Sequence, residues 1–243
     1  MRLAVISDIH GNLPALEAVT AEVDDAGVDE TWSLGDVVGY GASPDACSAI
    51  VAERTTVSLV GNHDLGVLGS LDLSAFSPAA AAAVRWTQRE ATSDTLEYLR
   101  GLEPSDTSRE IALYHASPRD PVWEYVLWAE QAEECMEVQA TRVSLIGHSH
   151  LALYFGAAPE GDVRADLPAD GEAVDVSDGR WLLNPGSVGQ PRDRDPRAAW
   201  LELDTSDWVA RWHRVPYDID RAAMAIAAAD LPEQLGRRLY SGQ

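Results

Sequence analysis

The sequence predicts an α/β fold of mixed α+β character, in which two stacked, mixed β-sheets are flanked by helices. Within the first 65 residues or so, a strand, a glycine with an acid or amide, and a helix follow each other three times, as in a parallel βαβ arrangement. From Asp162 onward, short turns link the strands instead of helices, which indicates a second sheet packed on the first. The length of 243 residues and the apolar fraction of 46% suit one domain with a sizeable core.

The first unit carries candidate metal ligands. Residues 3–6 are apolar and predict a buried strand, and Asp8 and His10 follow it directly. Because residues two apart in an extended segment point to the same side, Asp8 and His10 can reach one metal ion. Gly11 lets the chain turn, and apolar residues at helical spacing predict a helix over 13–26.

The next two units repeat this organisation. A strand over 30–34 ends at Gly35-Asp36, and a helix opened by Ser43 or Asp45 runs to about residue 54. A third strand over 56–60 ends at Gly61-Asn62-His63-Asp64. Functional groups in open α/β sheets collect at the carboxyl ends of such strands, so we expect these polar side chains to lie near Asp8.

The middle of the chain adds two more strands that end in histidines. A strand over 111–114 leads to His115, and a strand over 143–146 leads to Gly147-His148-Ser149-His150. The remaining predicted elements are helices over 77–89, 93–101, 130–140, 217–229 and 232–240, and strands over 151–155, 180–183, 198–203 and 208–214. We find no repeat or linker, and we expect a single domain over 1–243 with helical cap-like segments around 66–107 and 118–141.

Composition narrows the possible partners. Forty acidic residues against 18 basic ones give a formal charge of −22, which disfavours binding to duplex nucleic acid. All the basic residues are arginine, a bias that fits either a saline interior or coding bias. No apolar stretch approaches the roughly 20 residues of a spanning helix and no signal peptide is visible, so we expect a cytoplasmic protein without membrane partners. The two cysteines, Cys47 and Cys135, are expected to be buried thiols.

The histidines form the strongest functional signal. Five of the six follow predicted strands, and only His213 lies elsewhere. Together with Asp8, Asp36 and Asn62 they offer nitrogen and oxygen ligands without a thiolate, a set that suits Mn, Fe, Co, Ni or Zn. One tetrahedral ion cannot use so many groups. We therefore predict that seven of these eight groups hold two ions, with one carboxylate bridging them.

These motifs resemble those of the calcineurin-like metallophosphoesterases. The five ordered motifs are Asp8-Ile9-His10, Gly35-Asp36, Gly61-Asn62-His63-Asp64, His115 and Gly147-His148-Ser149-His150. The later Asn184-Pro185-Gly186-Ser187 resembles a segment of small bacterial members, so the resemblance covers residues 1 to about 190. It implies a four-layer αββα sandwich of two stacked mixed sheets flanked by helices.

The resemblance also implies a role for each motif residue. Asp8, His10 and His150 would hold one ion, Asn62, His115 and His148 would hold the other, and Asp36 would bridge them. His63 matches the catalytic histidine, and Asp64 matches the acid that orients it. The expected cofactors are two divalent ions, Mn with Fe, Zn, Ni or Co as alternatives.

The predicted function is hydrolysis of phosphodiesters or small phosphorylated or nucleotide substrates. Two ions with Asp8, Asp36 and a bridging hydroxide leave a net charge of about +1, which attracts a phosphate despite the acidic exterior. The hydroxide would attack in line while His63 assists the leaving oxygen. The alternatives are a non-catalytic interaction scaffold of the same fold and a single-metal hydrolase on an unrelated α/β fold.

Substrate-binding candidates each have a structural alternative. Asn12 could place the substrate or cap the helix that follows, and Arg119 and Arg192 could bind phosphate or form surface ion pairs. Arg194 and Arg197 could likewise bind phosphate or form surface ion pairs, because Asp193 and Asp195 alternate with these arginines. Trp123, Tyr125 and Trp128 could stack on a nucleobase, although packing against lid helices or in a homo-oligomer interface is favoured. The expected partner is a small phosphorylated substrate.

Overall fold

Two β-sheets form the centre of the computed structural model, which describes residues 1–158 and 161–243. Within these ranges the chain forms twelve strands and eight α-helices. The strands are β1 (Arg2–Ile6), β2 (Glu30–Ser33), β3 (Val57–Ser58), β4 (Ser105–Asp106), β5 (Ala112–Tyr114), β6 (Val143–Leu145), β7 (Ala152–Ala157), β8 (Val163–Asp166), β9 (Ala173–Asp175), β10 (Arg180–Pro185), β11 (Ala198–Asp204) and β12 (Val209–Val215). The helices are α1 (Leu13–Ala26), α2 (Pro44–Arg54), α3 (Asn62–Val67), α4 (Pro78–Glu90), α5 (Ser93–Arg100), α6 (Ala129–Val138), α7 (Ile219–Ala228) and α8 (Glu233–Arg237).

Both sheets are mixed. The first has the spatial order β3-β2-β1-β11-β12-β9, in which β1, β2 and β3 are parallel and the later strands pair antiparallel. In the second, β4-β5-β6-β10-β7-β8, the strands β5, β6 and β10 are parallel. The prediction of two stacked sheets flanked by helices is confirmed.

The division of the strands between the sheets differs from the prediction. The second sheet was expected from Asp162 onward, but it already includes β4 to β6, whereas β11 and β12 return to the first sheet. Short turns show that strands are neighbours in a hairpin, but they do not show which sheet the hairpin joins. Here β11 pairs with β1, so that Val5 lies opposite Leu201.

Alternation along β1 explains the layers. Leu3 and Val5 face the second sheet, in an apolar cluster that includes Leu113 and Leu145. The intervening residues, Ala4 and Ile6, face the helices and pack with side chains of α1. A strand buried on both faces is expected in a sheet that is covered on both sides. On the far side of the second sheet, α6 packs in a separate apolar cluster, which completes four layers.

Local sequence accounts for the helix ends near the site. Asn12 caps α1 by accepting a hydrogen bond from Ala15 N (3.2 Å), and Gly27 ends it in a left-handed conformation. The predicted strand over 56–60 is shorter, and the short helix α3 was not predicted. It begins inside the Gly61-Asn62-His63-Asp64 motif, where six residues give too little periodicity to detect.

The structure also describes the two cysteines, the lengths of the helices and the segments predicted as cap-like. Cys47 and Cys135 are buried free thiols, as predicted, and burial raises the pKa of Cys135 to about 11. Among the described residues, none of the helices is both long and apolar enough to cross a membrane. The segments predicted as cap-like contain α4 and α5 in residues 66–107 and α6 in residues 118–141.

Candidate metal centre

The loops that follow β1, β2, β5 and β6 meet at one edge of the two sheets. Asp8 N donates to Gly35 O (3.0 Å) and His10 N donates to Asp36 O (2.9 Å), which joins the first two loops. His148 N donates to Asp8 Oδ2 (3.1 Å), which joins the loop after β6 to the loop after β1. These hydrogen bonds between the loops therefore fix the positions of the candidate metal ligands without a bound metal ion.

The backbone of these loops is strained at the candidate ligands themselves. Five of them have a positive φ angle, between 51° and 64°. They are Asp8, His10, Asp36, His148 and His150. For a residue other than glycine this conformation costs about 1–3 kcal/mol, and such residues cluster where function requires a particular side-chain direction. The strain supports a functional role for this cluster independently of any motif.

The first group of candidate ligands is Asp8, His10 and His150. Asp8 Oδ1 lies 3.8 Å from His10 Nε2 and 3.4 Å from His150 Nε2. The two Nε2 atoms are 3.1 Å apart. One carboxylate oxygen and two imidazole nitrogens at these separations can surround one divalent ion.

The second group is Asp36, His115 and His148, with Asn62 beside it. The ligand atoms of Asp36, His115 and His148 all lie within 4.8 Å of one another. Asn62 Oδ1 is 3.2 Å from His115 Nε2. Asp36 Oδ2 belongs to both groups, because it lies 3.7 Å from His115 Nε2 and 3.6 Å from His10 Nε2 of the first group. This is the position that a bridging carboxylate requires.

Hydrogen bonds from the outer ring nitrogens orient the histidines. The Nδ1 atoms of His10, His115 and His150 lie 3.2, 2.9 and 2.6 Å from main-chain carbonyl oxygens. These carbonyls belong to Val38, Leu34 and Gln190. An Nδ1–H that donates to a carbonyl leaves Nε2 as the free lone pair, which is the usual arrangement around a bound metal. All three rings therefore present their coordinating nitrogen to the cluster.

The buried polar atoms of the cluster are better suited to binding cations than to hydrogen-bonding with one another. Asp8 Oδ1, Asp36 Oδ2 and His148 Nε2 are buried and have no hydrogen-bond partner. Burial raises the pKa of Asp8 to about 7 and that of Asp36 well above its usual range. Burial also lowers the pKa values of His10, His63, His148 and His150 well below the usual value, so these rings are neutral. Divalent cations would stabilise the carboxylates in charged form and use the free imidazole nitrogens.

His63 lies beside both groups, but the expected contact with Asp64 is not present. The Asp64 carboxylate accepts hydrogen bonds from Gly61 N (3.0 Å), Val37 N (3.2 Å) and Val38 N (3.0 Å). His63 Nδ1 is buried without a partner. Asp64 was expected to orient the ring by direct contact; instead it fixes the two loops that carry His63 and Asp36. The reason is that the carboxylate turns back to the main chain, where it caps the start of α3 at Gly61 N and accepts the other two hydrogen bonds from the loop after β2.

Packing, not hydrogen bonding, holds the ring of His63. It contacts Tyr40 with a centroid separation of 4.2 Å and Phe76 at 5.2 Å. Gly39 lies against the ring: a Cβ atom added there would be 2.5 Å from His63 Nδ1. His63 also approaches His10 and Asp36 closely enough to offer a third possible ligand group. A catalytic role for His63 without metal binding therefore remains a prediction.

Aromatic and charged side chains form the walls around the cluster. Tyr125 stacks on His148 with a centroid separation of 4.1 Å, and Trp123 packs against Phe76 at 5.0 Å. These two rings are engaged in packing, which is the alternative that the sequence favoured, while Trp128 is 65% exposed. Arg192 lies on the same side of the cluster as Tyr40, to whose hydroxyl it donates (3.3 Å).

Two predicted substrate-binding residues have other roles in the structure. Asn12 is fully engaged, as the cap of α1 and as a donor to Gly189 O (2.8 Å), so the capping alternative describes it. Arg119 forms ion pairs with Glu124 and Glu134. These carboxylates compete for its guanidinium, so the structure does not support Arg119 as a phosphate ligand. Proximity to His115 in sequence did not place its side chain in the site.

Arg197, which follows the Asn184-Pro185-Gly186-Ser187 turn, also forms ion pairs. Its partners are Asp170 and Asp195, in agreement with the surface ion-pair alternative. The turn itself braces the site. Asn184 Nδ2 donates to Gly147 O (2.8 Å), and Ser187 Oγ donates to Asp8 O (2.7 Å).

Some residues near the cluster were not found from sequence. Tyr40 belongs to a glycine-rich loop, Gly39-Tyr40-Gly41, directly after the Gly35-Asp36 motif, and that loop composition was the available signal. Leu239, from the C-terminal segment, lines a small cavity together with His10 and Tyr40, and no sequence pattern marks it. A cavity of about 1000 Å³ lies elsewhere, beside β7, β8 and β10. The buried, strained cluster is a better functional candidate than this open surface, which is lined mainly by exposed residues.

Comparison with known proteins gives a consistent result. Residues 1–206 match the family model described as the calcineurin-like phosphoesterase superfamily domain. An uncharacterised protein of Methanocaldococcus jannaschii is 37% identical over 99% of this chain and 98% of its own length. A crystal structure of a metallophosphoesterase from Sphaerobacter thermophilus has a TM-score of 0.89 and 40% identity, covering 100% of this chain and 99% of that one. A hypothetical protein of Pyrococcus horikoshii shares the fold, with a TM-score of 0.78 at 23% identity and coverage of 100% and 98%.

Proposed function

The chain belongs to the calcineurin-like phosphoesterase superfamily, and from that premise we propose that it is a dinuclear-metal phosphoesterase. Its substrates would be phosphodiesters or small phosphorylated or nucleotide compounds. The observation that carries the proposal is the position of Asp36 Oδ2, which lies 3.6 Å from His10 Nε2 and 3.7 Å from His115 Nε2. One carboxylate oxygen between two groups of nitrogen and oxygen donors is what a pair of divalent ions needs.

The donor set favours ions of intermediate hardness. Asp8, His10 and His150 would hold one ion, and Asn62, His115 and His148 would hold the other, with Asp36 shared. Mn²⁺ suits this nitrogen and oxygen set, and Fe, Zn, Ni or Co are the alternatives. When bound, such a pair supplies Lewis-acid activation of water and neutralises charge on the phosphoryl oxygens.

The protein's own residues supply hydrogen bonding and positioning. His63 is neutral because burial lowers the pKa of its ring, and the ring faces the cluster beside Asp36. Its ring N–H would donate a hydrogen bond to the leaving oxygen of the substrate and stabilise the negative charge that develops there. Asp64 would act at one remove, by holding the main chain of both loops through its three hydrogen bonds.

The main alternative is a scaffold that keeps the fold without catalysis. The presence of all seven candidate ligands and of His63 favours the enzyme, since a scaffold does not need a complete, strained cluster. The acidic surface, with a formal charge of −22, continues to disfavour duplex nucleic acid as the partner.

Metal counting and a simple assay test the proposal. The protein is purified without chelator, its metals are counted by elemental analysis, and hydrolysis of bis(p-nitrophenyl) phosphate and p-nitrophenyl phosphate is measured with Mn²⁺ added. We expect close to two ions per chain and metal-dependent hydrolysis of at least one ester. A protein that binds no metal and stays inactive with Mn²⁺ would contradict the proposal and favour the scaffold.

A further inference from the structure

Tyr40 has a backbone conformation that a bulky side chain rarely adopts. Its φ angle is +55°, in the same left-handed region as five of the candidate metal ligands, although Tyr40 is not one of them. The loop is held in place beside the cluster, because Gly41 N donates to His10 O (2.9 Å). Residues in such conformations collect where a side chain must point in one direction for function. The strain therefore directs attention to the side chain of Tyr40.

The ring of Tyr40 is fixed between the metal-ligand cluster and the C-terminal segment. Its centroid lies 4.6 Å from that of His10 and 4.2 Å from that of His63. It also belongs to an apolar cluster that contains Leu235 of α8 and Leu239. Because the ring is packed on both sides, its hydroxyl group has a defined position at the wall of the cluster.

Arg192 is joined to His150, which belongs to the same group of candidate ligands as His10. Its main-chain N donates to His150 O (3.2 Å). Its Nη2 donates to Gln190 Oε1 (3.1 Å), and the main-chain oxygen of Gln190 lies 2.6 Å from His150 Nδ1. The same Nη2 donates to Tyr40 Oη (3.3 Å). The side chains of Tyr40 and Arg192 therefore meet beside the first group of ligands.

Both side chains keep hydrogen-bond donors for another molecule. Arg192 Nε is buried without a partner, and no carboxylate forms an ion pair with Arg192 among the residues that the structure describes. Arg214, which is also largely buried, instead pairs with Asp193. Tyr40 Oη accepts the hydrogen bond from Arg192, so its own proton remains available. Buried donors without partners cost stability, and a bound anion would supply the missing acceptors.

We propose that Tyr40 and Arg192 together bind a non-ester oxygen of the reacting phosphate, and that this contact favours phosphomonoesters over phosphodiesters. The inference rests on the proposed function and makes its substrate class more specific. A guanidinium and a phenolic hydroxyl both donate hydrogen bonds to phosphate oxygens. A monoester has three non-ester oxygens and a diester has two. If each metal ion takes one of them, only a monoester retains a further oxygen for the pair.

Two phosphonates that cannot be hydrolysed test the pair without turnover. Phenylphosphonate has three terminal oxygens, and its monomethyl ester has two. Titration calorimetry at constant free Mn²⁺ compares the wild type, Tyr40→Phe and the control Tyr98→Phe, in which the lost hydroxyl had donated to Ser58 Oγ (3.0 Å). Tyr40→Phe should weaken phenylphosphonate binding about tenfold and change binding of the methyl ester less than about threefold, as loss of one charge-assisted hydrogen bond implies. Its metal content should stay that of the wild type, because the ring is retained.

Activity provides a second measurement, and the outcomes separate the two proposals. The ratio of kcat/KM for p-nitrophenyl phosphate to that for bis(p-nitrophenyl) phosphate should fall about tenfold in Tyr40→Phe and stay unchanged in Tyr98→Phe. A wild type that hydrolyses neither ester, but binds phenylphosphonate more tightly than Tyr40→Phe does, would defeat the proposed function alone. Equal phenylphosphonate affinities in Tyr40→Phe and Tyr98→Phe, or equal losses for the two phosphonates, would overturn the role of the pair.

Discussion

The metal-ligand cluster and the entrance above it are built in different ways. The cluster, which consists of Asp8, His10, Asp36, Asn62, His115, His148 and His150, is supplied by strand ends that hydrogen-bond to one another. The entrance, by which we mean Tyr40, Tyr125 and Arg192 at the wall of the cluster, is supplied by loops, and Tyr40 packs against the C-terminal helices. Strand ends allow little variation in position, whereas loops and added helices can change without disturbing the sheets. In the proposed enzyme the chemistry would therefore lie in the rigid part and substrate selection in the adaptable part.

The largest effect should follow a change at the shared carboxylate. Asp36→Asn keeps an oxygen for the hydrogen bond from His63 N (2.8 Å) but removes the charge between the two donor groups. We expect the metal content to fall below two ions per chain and ester hydrolysis to fall about a thousandfold, which corresponds to roughly 4 kcal/mol. Asp24→Asn, at an exposed ion pair, is the control. Full metal content and activity in Asp36→Asn would contradict a bridging role.

Substitution of His63 should reduce turnover without reducing metal content. His63→Gln removes the imidazole N–H that would stabilise the leaving oxygen, and loss of one such hydrogen-bond donor typically costs 10²- to 10³-fold. We therefore expect kcat to fall about a hundredfold while elemental analysis still finds both ions. Loss of one ion in His63→Gln would show instead that the third possible group, His10, Asp36 and His63, binds metal.

Metal removal should lower stability as well as activity. Asp8 and Asp36 are buried with unpaired oxygens, so bound cations stabilise the folded state more than the unfolded state. With Mn²⁺ at about 100 times its dissociation constant, the gain is about 2.7 kcal/mol per site. Two occupied sites would together contribute about 5 kcal/mol, so thermal unfolding after chelation should occur roughly 10–20 °C lower than with Mn²⁺. An unchanged midpoint would mean that the cluster binds no cation; Asp36→Asn should show a smaller metal-dependent shift than the wild type.

A smaller loss of activity is expected from a substitution that only crowds the ring of His63. Gly39→Ala would place a Cβ 2.5 Å from His63 Nδ1 at a φ of +87°, which forces the ring to move. Gly27→Ala is a matched control, since its φ is +65° and nothing lies within 4 Å of the added atom. Both variants should lose stability by about 1 kcal/mol, but only Gly39→Ala should lose kcat, by about tenfold. Equal kcat values for the two would show that the packing of Gly39 does not position His63.

The contrast between cluster and entrance also explains what could be predicted from sequence. The ligands lie next to strands in local motifs, so Asp8-Ile9-His10 or Gly147-His148-Ser149-His150 can be recognised within a few residues. Leu235 and Leu239 meet Tyr40 only when the C-terminal segment packs on it, a contact between segments about 200 residues apart. The side chain of Arg119 could not be placed from sequence for a similar reason. Its place in the chain is near His115, but Glu124 and Glu134 decide where its side chain lies.

The smallest effect on kcat/KM should follow substitution of Arg119. This substitution tests whether a residue that is near His115 in sequence also belongs to the entrance. The ion pairs of Arg119 with Glu124 and Glu134 are partly exposed, and such pairs contribute little because solvent screens them. Arg119→Gln should therefore change kcat/KM by less than about twofold. Arg192→Gln removes the same charge from the entrance and should raise KM about tenfold. A comparable rise in KM for Arg119→Gln would return Arg119 to the substrate site and would mean that the loop before α6 also selects the substrate.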